Sequence, residues 1–304
     1  VSYFDCPTPE ARSEPGDPAV EQIVVPRTAD LGGFEVARVL PSRHRRMVGP
    51  FIFLDQMGLG MFSPGQGLDV RPHPHIGLAT VTYLFAGELL HRDSLGSRQV
   101  IRPGAVNWMT AGRGIAHSER TPDASRQSAS ELFGLQAWVA LPEGKEECEP
   151  AFAHHDDRDL PLIEDGGLRA RVLAGEIWSR RSPVSVASDC LYVDLELSAG
   201  ARAPLDCSFP ERALYVVQGR IQVDGSVHPA GRMLVLRPGC DVHIDALEDS
   251  RVALLGGEPM AGPRHIWWNF VSSRKDRIEQ AKSDWQAGRF DPVVDEHEWI
   301  PLPD

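Results

Sequence analysis

The chain has 304 residues, of which 42% are hydrophobic and 24% charged, the balance of a soluble globular protein and a length that suits two domains. Its formal charge of −12, from 31 Lys+Arg against 43 Asp+Glu, argues against a broad phosphate-binding surface and so against direct nucleic-acid contact. No apolar run nears the roughly 20 residues that span a bilayer, so no membrane association is expected. No signal peptide is visible at the start, and the five cysteines form no CxxC pair, which suits a reducing cytoplasm.

In chain order, the Pro- and Glu-rich residues 1–21 read as a flexible arm. Residues 22–145 then turn β-like: "QIVVPR", "FEVARVL", "GPFIFLDQM", "RPHPHIGLATVTYLFAG", "RQVIRPG", "AVNWMT", "GIAHSER" and "ELFGLQAWVAL", punctuated by Gly and Pro at the short intervals of a sandwich or barrel. The basic cluster "RHRR", Arg43 to Arg46, reads as a solvated loop. Residues 146–165 are polar and read as a linker, and the His154–His155 pair among its aspartates as a solvated loop.

A second β-rich run over 166–270 echoes the first. A shift of 132 brings Pro72 onto Pro204, Tyr83 onto Tyr215 and Gly87 onto Gly219, and a shift of 135 brings "IRPG" (101–104) onto "LRPG" (236–239). Two copies of one β-domain are expected. The last segment, 271–304, opens with a helix. Ser273 is its expected N-cap with Asp276 three residues on, Ile278, Ala281 and Trp285 share a face, and Gly288 suits the position after its end.

The chemistry lies in two doublets. His73 and His75 are two apart before a strand-like run, and His117 and Glu119 are two apart after "AGRG". Residues i and i+2 of a strand share a side, so each doublet presents two ligand-type groups on one face. Strands facing across a small barrel would bring all four together. Three neutral imidazoles and one carboxylate suit a divalent first-row cation and leave positions open for water, substrate or oxygen, an expanded form of the two-His, one-carboxylate set of non-haem Fe(II) oxygenases. The next positions on the side of His73 and His75 are Gly77, Ala79, Val81, Tyr83 and Phe85, and Gly77 and Ala79 are expected to be small residues beside the metal.

The segments "RPHPHIGLATVTYLFAGELLHRDSLG" and "IRPGAVNWMTAGRGIAHSER", with "GPFIFLDQMG" before them and "IEQAKSDWQAGRF" near the end, resemble the pirin family of the cupin superfamily over about residues 22–291. The resemblance implies an all-β fold of two cupin-type barrels in tandem with a C-terminal helix, the first barrel holding Fe(II), or another divalent first-row metal, on His73, His75, His117 and Glu119. It further implies quercetinase-type chemistry, an oxidative opening of a flavonol-like aromatic substrate by O2. Glu119 would then help accept a proton, and Phe53, Met57, Val81 and Tyr83 would line the substrate cavity. Other pirin-like proteins act without catalysis, as iron-dependent regulators working through protein partners, and that alternative stands beside the first. Many relatives carry Glu where this chain has Ala79. Carried through the two shifts, the ligand positions fall on Leu205, Cys207, Val252 and Leu254, and Ala79 on Glu211, so the second barrel is expected to hold no metal.

Overall fold

The computed structural model describes residues 8–14, 17–30 and 34–303. Its first half contains β1 (Glu10–Ser13), β2 (Val20–Val25), β3 (Arg27–Asp30), β4 (Glu35–Leu40), β5 (Phe51–Phe62), β6 (Asp69–His75), β7 (Leu78–Ala86), β8 (Leu89–Asp93), β9 (Arg98–Ile101), β10 (Val106–Thr110), β11 (Ile115–Arg120), β12 (Ser130–Ala140) and β13 (Ala151–His155). Two sheets form the first barrel: seven strands in the order β13-β10-β7-β12-β5-β4-β3, and four in the order β6-β11-β8-β9. The second barrel repeats the plan. Its four-stranded sheet runs Arg202–Leu205, Val242–Ala246, Arg220–Val223, Ser226–Pro229, and its larger sheet centres on Glu211–Gln218, Ser250–Gly257 and Cys190–Leu197. The tandem of two cupin-type barrels expected from the sequence is therefore present.

The barrels meet through their large sheets. Residues 78–84 of β7 are buried on both faces, the mark of a strand with protein on each side. Ala79, Val81 and Tyr83 join Tyr215, Val217, Met233 and Leu255 in one core shared by both barrels, while Leu78 and Leu84 face clusters of the first barrel. The repeated tyrosines are reciprocal. The Tyr83 hydroxyl donates to Asp194 Oδ2 at 2.8 Å and the Tyr215 hydroxyl to Gln56 Oε1 at 2.7 Å, each reaching into the other barrel. Both barrels also bury a carboxylate here under a forked guanidinium: Asp55 beneath Arg38 (2.9 and 2.8 Å) and Asp194 beneath Arg251 (2.8 and 2.6 Å).

Several sequence expectations change. The arm expected over 1–21 is partly strand: β1 pairs with β2, and β2 pairs with Arg232–Leu236 of the second barrel, so the first described strands lie on the far barrel before the chain enters the near one. Residues 1–7, 15 and 16 of the arm lie outside the described residues. The expected linker is also partly strand. β13 closes the edge of the first barrel's large sheet against β10, and Leu162–Asp165 pairs with Leu168–Ala174 of the second. His154 consequently sits on a strand, bonded to Asn107 and Asp156. Within "RHRR", Arg45 is tied to Glu21 at 2.7 Å and to Gln22.

The R-P-G echo is not a structural equivalence. "IRPG" precedes β10, whereas "LRPG" follows Arg232–Leu236, which is the counterpart of β10 because each pairs with the strand after its barrel's first ligand position. The counterpart of β11 is Val242–Ala246, bonded to Arg202–Leu205 and Arg220–Val223 as β11 is to β6 and β8. His117 therefore corresponds to Val242 and Glu119 to Ile244, not to Val252 and Leu254. Leu205, Val242 and Ile244 all belong to the second barrel's apolar core, and Cys207 is exposed.

The single α-helix among the described residues, α1 (Lys275–Gln286), begins one residue later than Ser273 as N-cap predicts, with Arg274 at that position and no side chain capping it. Ser273 is used elsewhere: its amide and hydroxyl both donate to the carboxylate of Glu146, which also receives the Ser272 hydroxyl and lies 3.2 Å from Arg264. A buried carboxylate needs those donors more than a helix end open to water does. Ile278 and Ala281 are buried as expected, and Gly288 takes a left-handed φ of 66° just past the helix end.

Candidate metal centre

His73 and His75 end β6, and His117 lies directly opposite His73 in β11. All three rings point into the first barrel and are 1% exposed. One ligand-type nitrogen from each lies within 4.8 Å of the others, and His73, His75 and His117 are the one group of this kind among the described residues. "AGRG" does act as a kink: Gly112 takes φ 51° and Gly114 φ 155°, and the chain reverses there from β10 into β11.

Glu119 points to the same interior but is not part of the three-histidine group. A bulge separates its pairing from that of His117, so that Glu119 meets Val70 where an unbroken register would bring Arg71. Bulges re-aim side chains in this way. The Glu119 carboxylate is 8% exposed and accepts the Thr82 hydroxyl at 3.2 Å.

The face begun by His73 and His75 does not continue through Ala79. Gly77 interrupts it, with φ 67° and its amide bonded to Gly112 O at 2.9 Å. The turn moves the chain from the small sheet to the large one and reverses the alternation. Thr80, Thr82 and Leu84 then face the side toward Glu119, while Ala79, Val81 and Tyr83 face the second barrel. Ala79 is thus not a small residue beside the metal ligands. Of the four residues expected to line a substrate cavity, Val81 and Tyr83 are in the inter-barrel core and Met57 is in a separate cluster with Phe34 and Leu84. Phe53 alone of the four lies near the histidines: it stacks on Trp138 at 4.1 Å, and Trp138 presents an edge to His75 at 5.2 Å between centroids.

The hydrogen bonds assign the tautomers. His73 Nδ1 lies 2.9 Å from the carbonyl of Arg71, an acceptor only, so Nδ1 carries the proton and Nε2 the lone pair. His75 donates to the backbone of Asn269 and leaves Nδ1 buried without a partner. His117 Nδ1 faces His91 Nδ1 at 3.4 Å, and its Nε2 is buried without a partner. Orphaned buried nitrogens are rare and call for an explanation; two of them, on rings that belong to the close three-histidine group, fit a cation. Burial holds the imidazoles neutral, the form that binds metal. His73 is pushed down to about 3, and His75 and His117 well below the usual histidine range, by loss of water first; for His75 and His117 the neighbouring imidazole of His73 comes next.

One pair was not singled out from the sequence. His91 and Asp93 stand on β8 opposite Glu119 and His117 respectively. His91 Nε2 meets Asp93 Oδ2 at 2.9 Å, and the His91 ring stacks on Phe152 at 4.4 Å. The spacing rule that marked "HPH" and "HSE" also marks "HRD", since His91 and Asp93 are i and i+2 of a strand.

The pirin family model matches residues 33–139, and the model of the pirin C-terminal cupin domain matches residues 192–291. The chain belongs to the pirin family. It is similar to a pirin-like protein of Caulobacter vibrioides, 56% identical over 282 residues that cover 91% of this chain and 97% of the relative. Among solved structures, it resembles a quercetin 2,3-dioxygenase from Acinetobacter baumannii with a TM-score of 0.87 and 39% identity, covering 93% of this pirin and 95% of that chain. The bacterial pirin YhhW from Escherichia coli, solved in complex with nickel(II), shares the fold at a TM-score of 0.62 and 20% identity, covering 77% of this chain and 96% of that one.

Proposed function

We propose that this pirin is an Fe(II)-dependent dioxygenase that opens flavonol-type aromatic substrates with O2, with His73, His75, His117 and Glu119 holding the metal. The observation that carries the reading is the convergence of three buried, neutral imidazoles, two of them with unpartnered nitrogens, beside a buried carboxylate. The likeness to a quercetin 2,3-dioxygenase supports it. Bound Fe(II) would supply Lewis acidity toward an anionic enolate-type oxygen and a redox-active centre for O2; a different divalent first-row ion suits the same donors.

The protein's own part is positional. The imidazoles are fixed in tautomer by Arg71, Asn269 and His91. Glu119 is steadied through one oxygen by Thr82, and its carboxylate accepts the substrate hydroxyl proton. Trp138, backed by Phe53, gives the site a flat aromatic wall next to His75. Val81, Tyr83 and Met57 serve as core packing.

The 1% exposure of the three ligand rings also supports a second reading, an iron-dependent binding protein that acts on protein partners in the cytoplasm. One experiment separates the two. Iron-loaded protein given quercetin in air consumes O2 in proportion to its iron content if the dioxygenase reading holds. No uptake above that of free iron, with occupancy confirmed, overturns it. A pull-down that recovers a partner in one iron oxidation state alone would then establish the second.

A further inference from the structure

We infer that His91 and Asp93 form a relay that sets the tautomer of His117 and thereby makes its Nε2 available to a metal; the inference rests on the three-histidine site proposed above. It starts from Asp93. Two backbone amides, of Leu95 and Ser97, donate to Asp93 Oδ1 at 2.9 Å each, leaving Oδ2 for the His91 ring. Burial alone would raise the Asp93 carboxyl, but His91 and Ser97 outweigh it and hold the group below its usual range, so Asp93 is an acceptor.

The nitrogen facing that carboxylate, His91 Nε2, must therefore carry its ring's proton. A neutral imidazole has one donor and one acceptor nitrogen, which makes His91 Nδ1 the acceptor. His91 Nδ1 faces His117 Nδ1 at 3.4 Å. Two lone pairs would repel, so His117 carries its proton on Nδ1, and its lone pair lies on Nε2, the buried atom with no partner in the protein. Phe152, stacked on His91 at 4.4 Å, fixes the plane of the relay ring. His73 obtains the same outcome directly from a backbone carbonyl. His117 has no carbonyl in that place and obtains it through two side chains. Groups that orient a ligating histidine from behind change metal affinity by about 10- to 100-fold when removed.

The test uses the full chain and Ni(II), titrated against a competing chelator, with the variants' folding checked by circular dichroism. His91→Asn keeps an acceptor oxygen where Nδ1 stands and is expected to bind within about threefold of the wild type. His91→Leu removes the acceptor and is expected to bind about 10- to 100-fold more weakly. Asp93→Asn lets the side chain donate to His91 Nε2, turns Nδ1 into a donor, and is expected to weaken binding as His91→Leu does. A folded His91→Leu protein with wild-type affinity overturns the inference. Imidazole 15N spectra of the metal-free wild type decide the matter without any variant: a proton on His117 Nδ1 is expected, and a proton on Nε2 overturns the relay. Failure of the wild type to bind Ni(II) would count against the metal site itself, and the spectra would still test the tautomer.

Discussion

Tyr83 of the first barrel donates its hydroxyl to Asp194 of the second at 2.8 Å. Asp194 also carries the two bonds from Arg251, so the phenol completes a buried charged network between the barrels. Burial first, and Asp194 next, push the Tyr83 hydroxyl well above the usual tyrosine range, keeping it a donor. Tyr83→Phe is expected to lower unfolding stability by about 1.5–3 kcal/mol, the size of a hydrogen bond to a charged group, and to leave metal affinity unchanged. Chemical denaturation and Ni(II) titration of the same variant check both halves. A loss of metal affinity with unchanged stability would place Tyr83 in the site after all.

The same residue shows what was legible in the sequence. Both doublets, both barrels and the pairing of Tyr83 with Tyr215 follow from local spacing and repetition. The direction of Tyr83 does not. It depends on a reversal of alternation at Gly77, and a strict period-two pattern runs through that glycine without a visible break. The R-P-G echo misled for a related reason: turns of unequal length move a short motif from one side of a strand to the other. The pairing of β2 with the second barrel is a choice between two similar edges that composition does not distinguish. His91 was legible by the spacing rule, but "HRD" does not announce a metal site as "HPH" does.

Gly77 should accordingly resist replacement. A methyl group there would meet the carbonyl oxygen of Val271, and the φ of 67° is one that side chains rarely adopt. Gly77→Ala is expected to lower the melting temperature and to weaken Ni(II) binding together, because the turn directly follows His75. Wild-type values for both would show that the reversal does not depend on glycine.

The C-terminal tail is clamped to the outer side of the ligand strands. Glu296 accepts from the Ser118 hydroxyl at 2.8 Å and from Arg120 at 2.9 and 2.7 Å, and Ile300 N donates to Pro72 O at 2.8 Å. Burial raises the Glu296 carboxyl, but Arg120 and Ser118 outweigh it and hold it below the usual glutamate range. A carboxyl depressed in the folded state contributes stability above its unfolded value that is lost as pH falls through the folded value. The tail should stay docked at pH 6 and loosen as the pH falls below the usual glutamate range. Amide exchange at Ile300, corrected for its intrinsic pH dependence, reads this directly. Glu296→Gln should be less protected at pH 6 and change less than the wild type down to pH 3, because only Glu298 then remains on Arg120 from the tail; an unchanged wild-type profile over that range would count against the clamp.

Thr82 tests the placement of Glu119. Its hydroxyl is 3.2 Å from Glu119 Oε1, and Thr82→Val removes that donor at nearly constant volume. The variant should fold and bind Ni(II), with flavonol-dependent O2 uptake of the iron-loaded protein reduced severalfold. Unchanged uptake would show that Thr82 does not steady the carboxylate that works in turnover.

The central claim is that His73, His75 and His117 hold a metal ion in the first barrel. Metal analysis of the native protein beside His117→Ala tests it most directly, with both proteins purified alike and shown to be folded. The native protein should carry a divalent first-row ion near one per chain, and the variant should lose most of it. Full retention of metal by His117→Ala would contradict the assignment.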